Sequence, residues 1–343
     1  MKCPVCGEDC VLEAHELINL LPTIFSRCPD CRYHVIDKNS PPADAHIKEP
    51  CSCGKRFIDD IFVHIYIIMK DGGLLTGQEP LSAVGVPLVH PGFFMKVPPF
   101  LPRDSLVLLC RTIDKKTAER IIKEVAEVRA VIKNGDFIPG IADTEPGGVP
   151  KTYELMAGCD IRANVFVTHN GPLVLYKQQS AMHIEFPRAF NPKIDTVEKN
   201  IRTTSPGLFI DACCGAGTLG LTAGRMKVQR IIMNDAWYAA AFFAAFNIKV
   251  NRESFNVETV TIREDYQQMQ MHPVGTFPRK IGETAGEQEI EVYQGDFREL
   301  YGVVPGGFST LSVIDLFEKK DLPKVNAIME QWRRHVPGEV FIP

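Results

Sequence analysis

The pattern of apolar and polar positions divides the chain into three stretches. From residue 196 onward, short apolar runs alternate with helix-like segments, the pattern of an α/β sheet. Its predicted strands are the run ending at Phe209-Ile210, Arg230–Asp235, Glu289–Asp296, Ser309–Asp315 and a short one from Glu339. An Ala-rich helix from Ala236 to about Val250 and a helix from Lys320 to about His335 fall between them. The segment before Glu289 is longer than this alternation needs; Val257–Ile262 and the Gly282/Gly286 region read as a surface insertion, or else as a strand pair or lid.

Upstream, Ala118, Ile121, Ile122, Val125, Val128 and Ile132 recur at helical spacing after Asp114, with Gly135 as the stop. Lys115, Glu119, Lys123 and Glu127 form that helix's solvated polar face. A Pro-Gly-rich connection at Glu145–Pro150 leads to a predicted hairpin. Asn164–His169 and Pro172–Tyr176 would be its strands and Asn170-Gly171 its turn, because a tight hairpin turn favours positive φ. Ala181–Phe186 reads as a third strand. Residues 1–75 are cysteine-rich and end at Gly72-Gly73.

The 343 residues are 45% hydrophobic and 23% charged, which suits a globular protein with a sizeable core and excludes a collagen-like or disordered chain. A net charge of -4 argues against a strongly basic nucleic-acid binder. The longest apolar run, Ile61–Met69, is interrupted by His64, read as a core histidine, and is too short for a membrane span. MKCPVCGEDC has no apolar signal-peptide core. The expectation is a cytoplasmic protein with no membrane partner; assembly as a homo-oligomer is left open.

Seven of the 11 cysteines fall within the first 53 residues. Reduced, clustered thiols read as metal ligands before disulfides. Cys3-x2-Cys6 and Cys28-x2-Cys31 are two knuckles 21 residues apart, a spacing that can set four thiolates around one Zn²⁺. Cys10, Cys51 and Cys53 then remain: ordinary cysteines, part of an alternative ligand set, or holders of a second metal or an iron–sulfur cluster.

The sharpest motif is Gly207-Leu-Phe-Ile-Asp211-Ala-Cys-Cys-Gly215-Ala-Gly217-Thr-Leu-Gly220. A strand ends, glycines turn the backbone sharply, and a helix starts near Thr218 with its N-terminus facing the turn. Asp235 follows 24 positions after Asp211, at the end of the next strand, where a carboxylate can accept hydrogen bonds from ribose hydroxyls. The alternative is a tight strand–helix turn in an unliganded α/β domain.

With Asp-x-x-Cys-Gly-x-Gly-Thr at Asp211–Thr218, residues 207–343 resemble class I (Rossmann-like) S-adenosylmethionine-dependent methyltransferases, in the form seen in RNA methyltransferases. The cysteine knuckles resemble a zinc ribbon. The resemblance implies an α/β fold class: a Rossmann-like methyltransferase sheet at the C-terminus, preceded by a small α+β domain and a Cys-rich metal-binding module. The implied domains are residues 1–75, a zinc-ribbon-like module; 76–195, an α+β middle domain; and 196–343, the S-adenosylmethionine-binding domain. In that family's roles Gly215 and Gly217 line the methionine portion, with Asp211 near its amino group. Asp235 holds the ribose, Asp296 the adenine amino group, and Asp315 faces the methyl acceptor as a candidate base or positioning carboxylate. Two departures stand out. Asp315-Leu-Phe-Glu318 replaces the Asn/Asp-Pro-Pro-Tyr of nucleobase amino-methyltransferases, and the usual last two antiparallel strands are missing. Either the sheet is shorter or the upstream hairpin completes it. A narrower resemblance is to the fibrillarin-like HcgG family, which takes part in cofactor biosynthesis, assembling the iron-guanylylpyridinol cofactor of Fe-hydrogenase.

The leading expectation is therefore a methyltransferase using S-adenosylmethionine, with zinc (or iron) at Cys3, Cys6, Cys28 and Cys31, acting on RNA or a small-molecule cofactor precursor. The alternatives are a metallocofactor maturation protein that binds a nucleotide-containing ligand, and a non-catalytic RNA-binding module.

Overall fold

The computed structural model describes residues 1–43, 45–141, 148–317 and 319–343, so residues 145–147 of the Pro-Gly-rich connection and Glu318 lie outside it. A capping box between Glu13 and Glu16 starts α1 (Ala14–Ile24). β1 (Arg56–Phe57) runs directly into α2 (Ile58–Asp71), whose apolar residues are buried almost throughout. Next come β2 (Val86–Val89), β3 (Phe100–Leu101), β4 (Leu106–Cys110), α3 (Lys115–Glu124), β5 (Val128–Lys133) and β6 (Glu154–Gly158). β2, β4, β5 and β6 form one sheet in that order. Ile65 and Met69 of α2 and Ile121 of α3 share a core with Leu106 and Val131 of that sheet.

The helix predicted to run through Val128 and Ile132 stops at Glu124. Val128–Ile132 is a strand buried at every position, with Val131 in one core and Ile132 in another. Burial on both faces and β-branched side chains override a helical spacing that was coincidental there.

The predicted hairpin is present as β7 (Ile161–Thr168) and β8 (Gly171–Gln178). Thr168 pairs with Gly171, so the turn is His169-Asn170, one residue earlier than predicted, and Gly171 takes the positive φ of 105°. Ala181–Phe186 is an irregular connection, not a strand. It leads to α4 (Pro192–Thr204), whose N-cap Asn191 accepts from the N–H groups of Lys193 and Ile194.

The last part comprises β9 (Leu208–Asp211), α5 (Thr218–Arg225), β10 (Arg230–Asp235), α6 (Tyr238–Val250), β11 (Val257–Ile262), α7 (Tyr266–Gln270), β12 (Arg279–Gly286), β13 (Glu289–Gln294), β14 (Thr310–Val313), α8 (Leu322–His335) and β15 (Glu339–Phe341). Its seven-stranded sheet runs β11-β12-β13-β10-β9-β14-β15. β13, β10, β9, β14 and β15 are mutually parallel. In chain order these five read 3-2-1-4-5, the doubly wound arrangement, with its reversal between β9 and β14. Phe209 and Met233 face one core; Leu208, Ile210 and Ile232 face the other, with Trp332 of α8.

The hairpin does not complete this sheet; β7 and β8 form a separate two-stranded sheet. The segment expected as a surface insertion instead supplies β11 and β12, antiparallel additions beyond β13. Ile281 of β12 is fully buried beside Ile290 and Val292, which gives the added strands a core to join. The cores also cut across the expected boundary at residue 75: Val11 and Leu17 pack with the hairpin and α6, whereas Ile61–Met69 pack with the middle sheet. No helix among the described residues is long and apolar enough to cross a membrane.

Candidate ligand cleft and cysteine centres

A cleft of about 220 Å³ opens at the carboxyl ends of β9, β10 and β14, at the reversal of the strand order where ligands of doubly wound sheets bind. Residues 212–216, the turn after β9, line it. Gly215 sits at φ +54°, and a Cβ there would meet nothing within 4 Å, so this backbone faces open space. A Cβ on Gly217, at φ +91°, would stand 3.3 Å from the Met233 Sδ and 3.4 Å from the Ala244 Cα of α6. A Cβ on Gly220 would stand 2.4 Å from the Met233 Sδ, so only glycine lets α5 lie this close to β10. Gly217, the N-cap of α5, provides no side-chain cap for the first N–H groups of that helix.

Asp211 is fully buried and is not itself a lining residue. Its Oδ2 accepts from the Gly220 N–H at 2.8 Å, and its Oδ1 has no partner among the described residues. Burial pushes its pKa up to about 8; the Gly220 N–H opposes the rise, and the charges of Asp315 and Asp235 add to it. Asp211 therefore shapes the turn from behind. Asp235 does line the cleft. Its Oδ2 accepts from Gly215 N–H and its Oδ1 from Trp237 N–H, both at 2.9 Å, so it ties the glycine turn to the start of α6. The neighbouring Asn234 is buried, donates to the Ala212 and Gly295 carbonyls, and keeps an Oδ1 with no partner among the described residues.

Asp296 lies in the wall, but both its oxygens accept from the Arg298 guanidinium. Asp315 also lines the cleft, held between the Lys193 ammonium at 2.6 Å and the Lys319 ammonium at 2.7 Å. Five residues that the sequence reading did not single out share this end of the cleft: Lys177, His183, Glu185, Asn191 and Lys193. Lys177 is buried and paired with Glu185 at 2.6 Å. His183 packs edge-on to Phe317 at 5.2 Å. Burial, aided by the Lys177 charge, holds its pKa below the ordinary 6.5. Ala181–Phe186 was expected as a third strand, a reading that gave its polar residues no role.

The expected quartet of cysteines is not brought together. Cys3 and Cys6 lie with Cys10 and Cys159; Cys28 and Cys31 lie with Cys51 and Cys53. α1, 11 residues rising about 1.5 Å each, lies between the two knuckles in the chain and is itself about 16 Å long. In each group all four Sγ atoms fall within 4.8 Å of one another. Cys159, which joins β6 to β7, carries no sequence signal that would assign it to a knuckle 156 residues away.

Neither a family model nor a curated protein matches the chain. Among solved structures, the complex of aTrm5 and tRNALeu superposes with a TM-score of 0.37 at 12% identity, over 83% of this chain and 63% of that one. TYW2 of P. horikoshii in complex with MeSAdo gives 0.30 at 17%, over 56% and 60%. Trm5b from Pyrococcus abyssi gives 0.34 at 14%, over 67% and 54%. The chain thus spans less than two thirds of each, and likeness at this level assigns no residue role.

Proposed function

We propose that the cleft binds S-adenosylmethionine and that the chain is a methyltransferase acting on RNA or a small-molecule cofactor precursor. The observation that carries this reading is the placement of the glycine turn and Asp235 at the reversal of a 3-2-1-4-5 sheet. The residues fit the ligand. Gly215 leaves backbone open to it, the N-cap Gly217 offers the first turn of α5 no side-chain cap, and the buried Asn234 Oδ1 has no partner among the described residues.

When bound, S-adenosylmethionine supplies an electrophilic methyl group on a sulfonium. Asp235, which lines the cleft at the end of β10 beside the glycine turn, would accept the ribose hydroxyls. Gly215 and Gly217 would give the methionine portion close backbone approach. Asp296, already engaged by Arg298, would offer the adenine amino group only its remaining lone pairs. At the acceptor end, Asp315 and Lys193 would orient the substrate. The ring of His183, held neutral by burial and the Lys177 charge, would accept the acceptor's proton, while Asp315 stays paired with Lys193 and Lys319. The eight clustered cysteines lie outside the cleft lining, so a role for them in presenting metal to the bound ligand gains no support.

Calorimetric titration with S-adenosylhomocysteine tests the reading. The intact chain should bind it, and Asp235→Ala should weaken binding by about 1.5–3 kcal/mol, the loss of hydrogen bonds to a charged group. No binding by the intact chain would refute the methyltransferase assignment.

A further inference from the structure

We propose that this chain holds two separate mononuclear metal ions, each on four thiolates, and that the ion on Cys3, Cys6, Cys10 and Cys159 is a zinc clamp fastening the N-terminal segment to the hairpin beside the cleft.

The sulfur geometry carries the argument. A tetrahedral zinc with Zn–S bonds near 2.3 Å sets neighbouring sulfurs about 3.8 Å apart. In the first group Cys3 and Cys159 are 3.8 Å apart, and Cys6 and Cys10 are 3.6 Å apart. In the second, Cys28 lies 3.7 Å from Cys31 and 3.5 Å from Cys51, and Cys31 lies 3.6 Å from Cys53. A disulfide needs about 2.05 Å, so none of these pairs is bonded. Hydrophobic burial does not explain the convergence either, because Cys6 and Cys53 are exposed.

The backbone is folded for ligation. Gly7 and Gly54 take positive φ at the two turns, and Cys6 N–H points to the Cys3 Sγ at 3.5 Å. All eight donors are sulfur, which selects zinc or iron. A cluster with bridging sulfides would spread its outer thiolates beyond the 4.8 Å that encloses each group. Four sulfurs also complete the tetrahedron, so neither ion keeps an open position for chemistry.

The two ions do different mechanical work. The second group closes within residues 28–53 and packs Cys31 against Phe57 and Phe100. The first reaches from the N-terminus to Cys159, just before β7. Around it, Leu12 N–H donates to the Tyr176 hydroxyl of β8 at 3.0 Å, and Gln267 donates to the Pro4 carbonyl. Lys177, next along β8, lines the cleft. The clamp therefore braces the strand that supplies one wall of the ligand site.

Metal analysis of the full-length chain supplies the first test. Two zinc ions per chain are expected, falling to one in Cys159→Ser, to one in Cys53→Ser and to none in the double variant. One ion in the intact chain, or two retained by Cys159→Ser, would overturn the proposal; iron at the same stoichiometry would overturn the choice of zinc. Alkylation of the intact chain does not depend on any variant folding. In the metal-loaded protein the exposed Cys6 should stay unmodified with Cys10 and Cys159, and all three should react together once a chelator strips the metal. Rapid alkylation of Cys6 before chelation would refute the clamp.

Discussion

Asp211 and His183 are held away from their ordinary titration ranges in opposite senses, and each leaves a mark on a pH profile. Asp211 keeps its proton in the folded chain up to about 8, whereas the unfolded chain releases it near 3.8. The folded state binds more protons across that window, so this group's contribution to stability falls as pH rises through it. Asp211→Asn removes the titration, and its stability relative to wild type should climb from pH 3.8 to about 8 in chemical denaturation. His183 has the reverse sign. Its folded pKa lies below 6.5, so its contribution is present above 6.5 and is lost as pH falls through the folded value. If its neutral ring accepts the acceptor's proton, the rate should fall along that acidic limb. His183→Gln should abolish the limb and slow turnover by about 10²-fold or more. Asp315→Asn, which breaks the pairs with Lys193 and Lys319, should leave the limb in place. A limb that vanished in Asp315→Asn alone would return the base to the carboxylate.

Two asparagines one turn apart, Asn247 in the last turn of α6 and Asn251 at its C-cap, hold the hairpin by its backbone. Asn247 accepts from Tyr176 N–H at 2.8 Å and donates to the Tyr176 and Ala216 carbonyls; Asn251 accepts from Val174 N–H and donates to its carbonyl. Their amides act as a short partner strand for the open edge of β8, joining it to the glycine turn through Ala216. Asn247→Ala would leave those buried groups unpaired, at about 1–3 kcal/mol each. The expected loss is roughly 2–5 kcal/mol by denaturant titration, with new proteolysis near His169-Asn170. A change within about 0.5 kcal/mol would show that the hairpin docks by apolar contact alone. Elements with a local signature were legible: the Asn170-Gly171 region announced a hairpin, and the apolar runs announced β9, β10, β13 and β14. β5 was not, because helical spacing and a doubly buried strand look alike over six residues. β11 and β12 were undervalued because β13, the strand through which β12 joins the sheet, lies later in the chain.

At the scale of the molecule, buried polar pairs join segments that composition alone separates. Arg56, at the edge of the cysteine-rich segment, donates to Glu127, beside β5, through Nε at 3.0 Å and through its terminal nitrogen at 2.5 Å. Both side chains are almost fully buried, and the guanidinium also meets the His64 ring at 3.0 Å. Glu127 was read as part of a solvated helical face; it is instead the buried partner of a cation 71 positions away. Removing one member strands the other charge, so Glu127→Ala should destabilise by about 3–5 kcal/mol. Replacing both members with apolar residues should recover much of that loss, a double-mutant result that a simple surface pair would not give.

Features that depend on near neighbours along the chain can be read from the residues alone. The glycine turn between a strand and a helix, the carboxylates at strand ends, the first turn of each cysteine knuckle and the alternating order of the α/β part are all set by residues within a few positions of one another. Only the tertiary structure decided which knuckle cysteines belong together, that Cys159 joins the first group, and that Lys177, His183 and Lys193 meet Asp315 in one cleft. Those groupings follow from how helices and sheets pack. α1 lies between the two knuckles, each of which gathers other cysteines instead, and folding of the sheets brings together side chains more than a hundred positions apart.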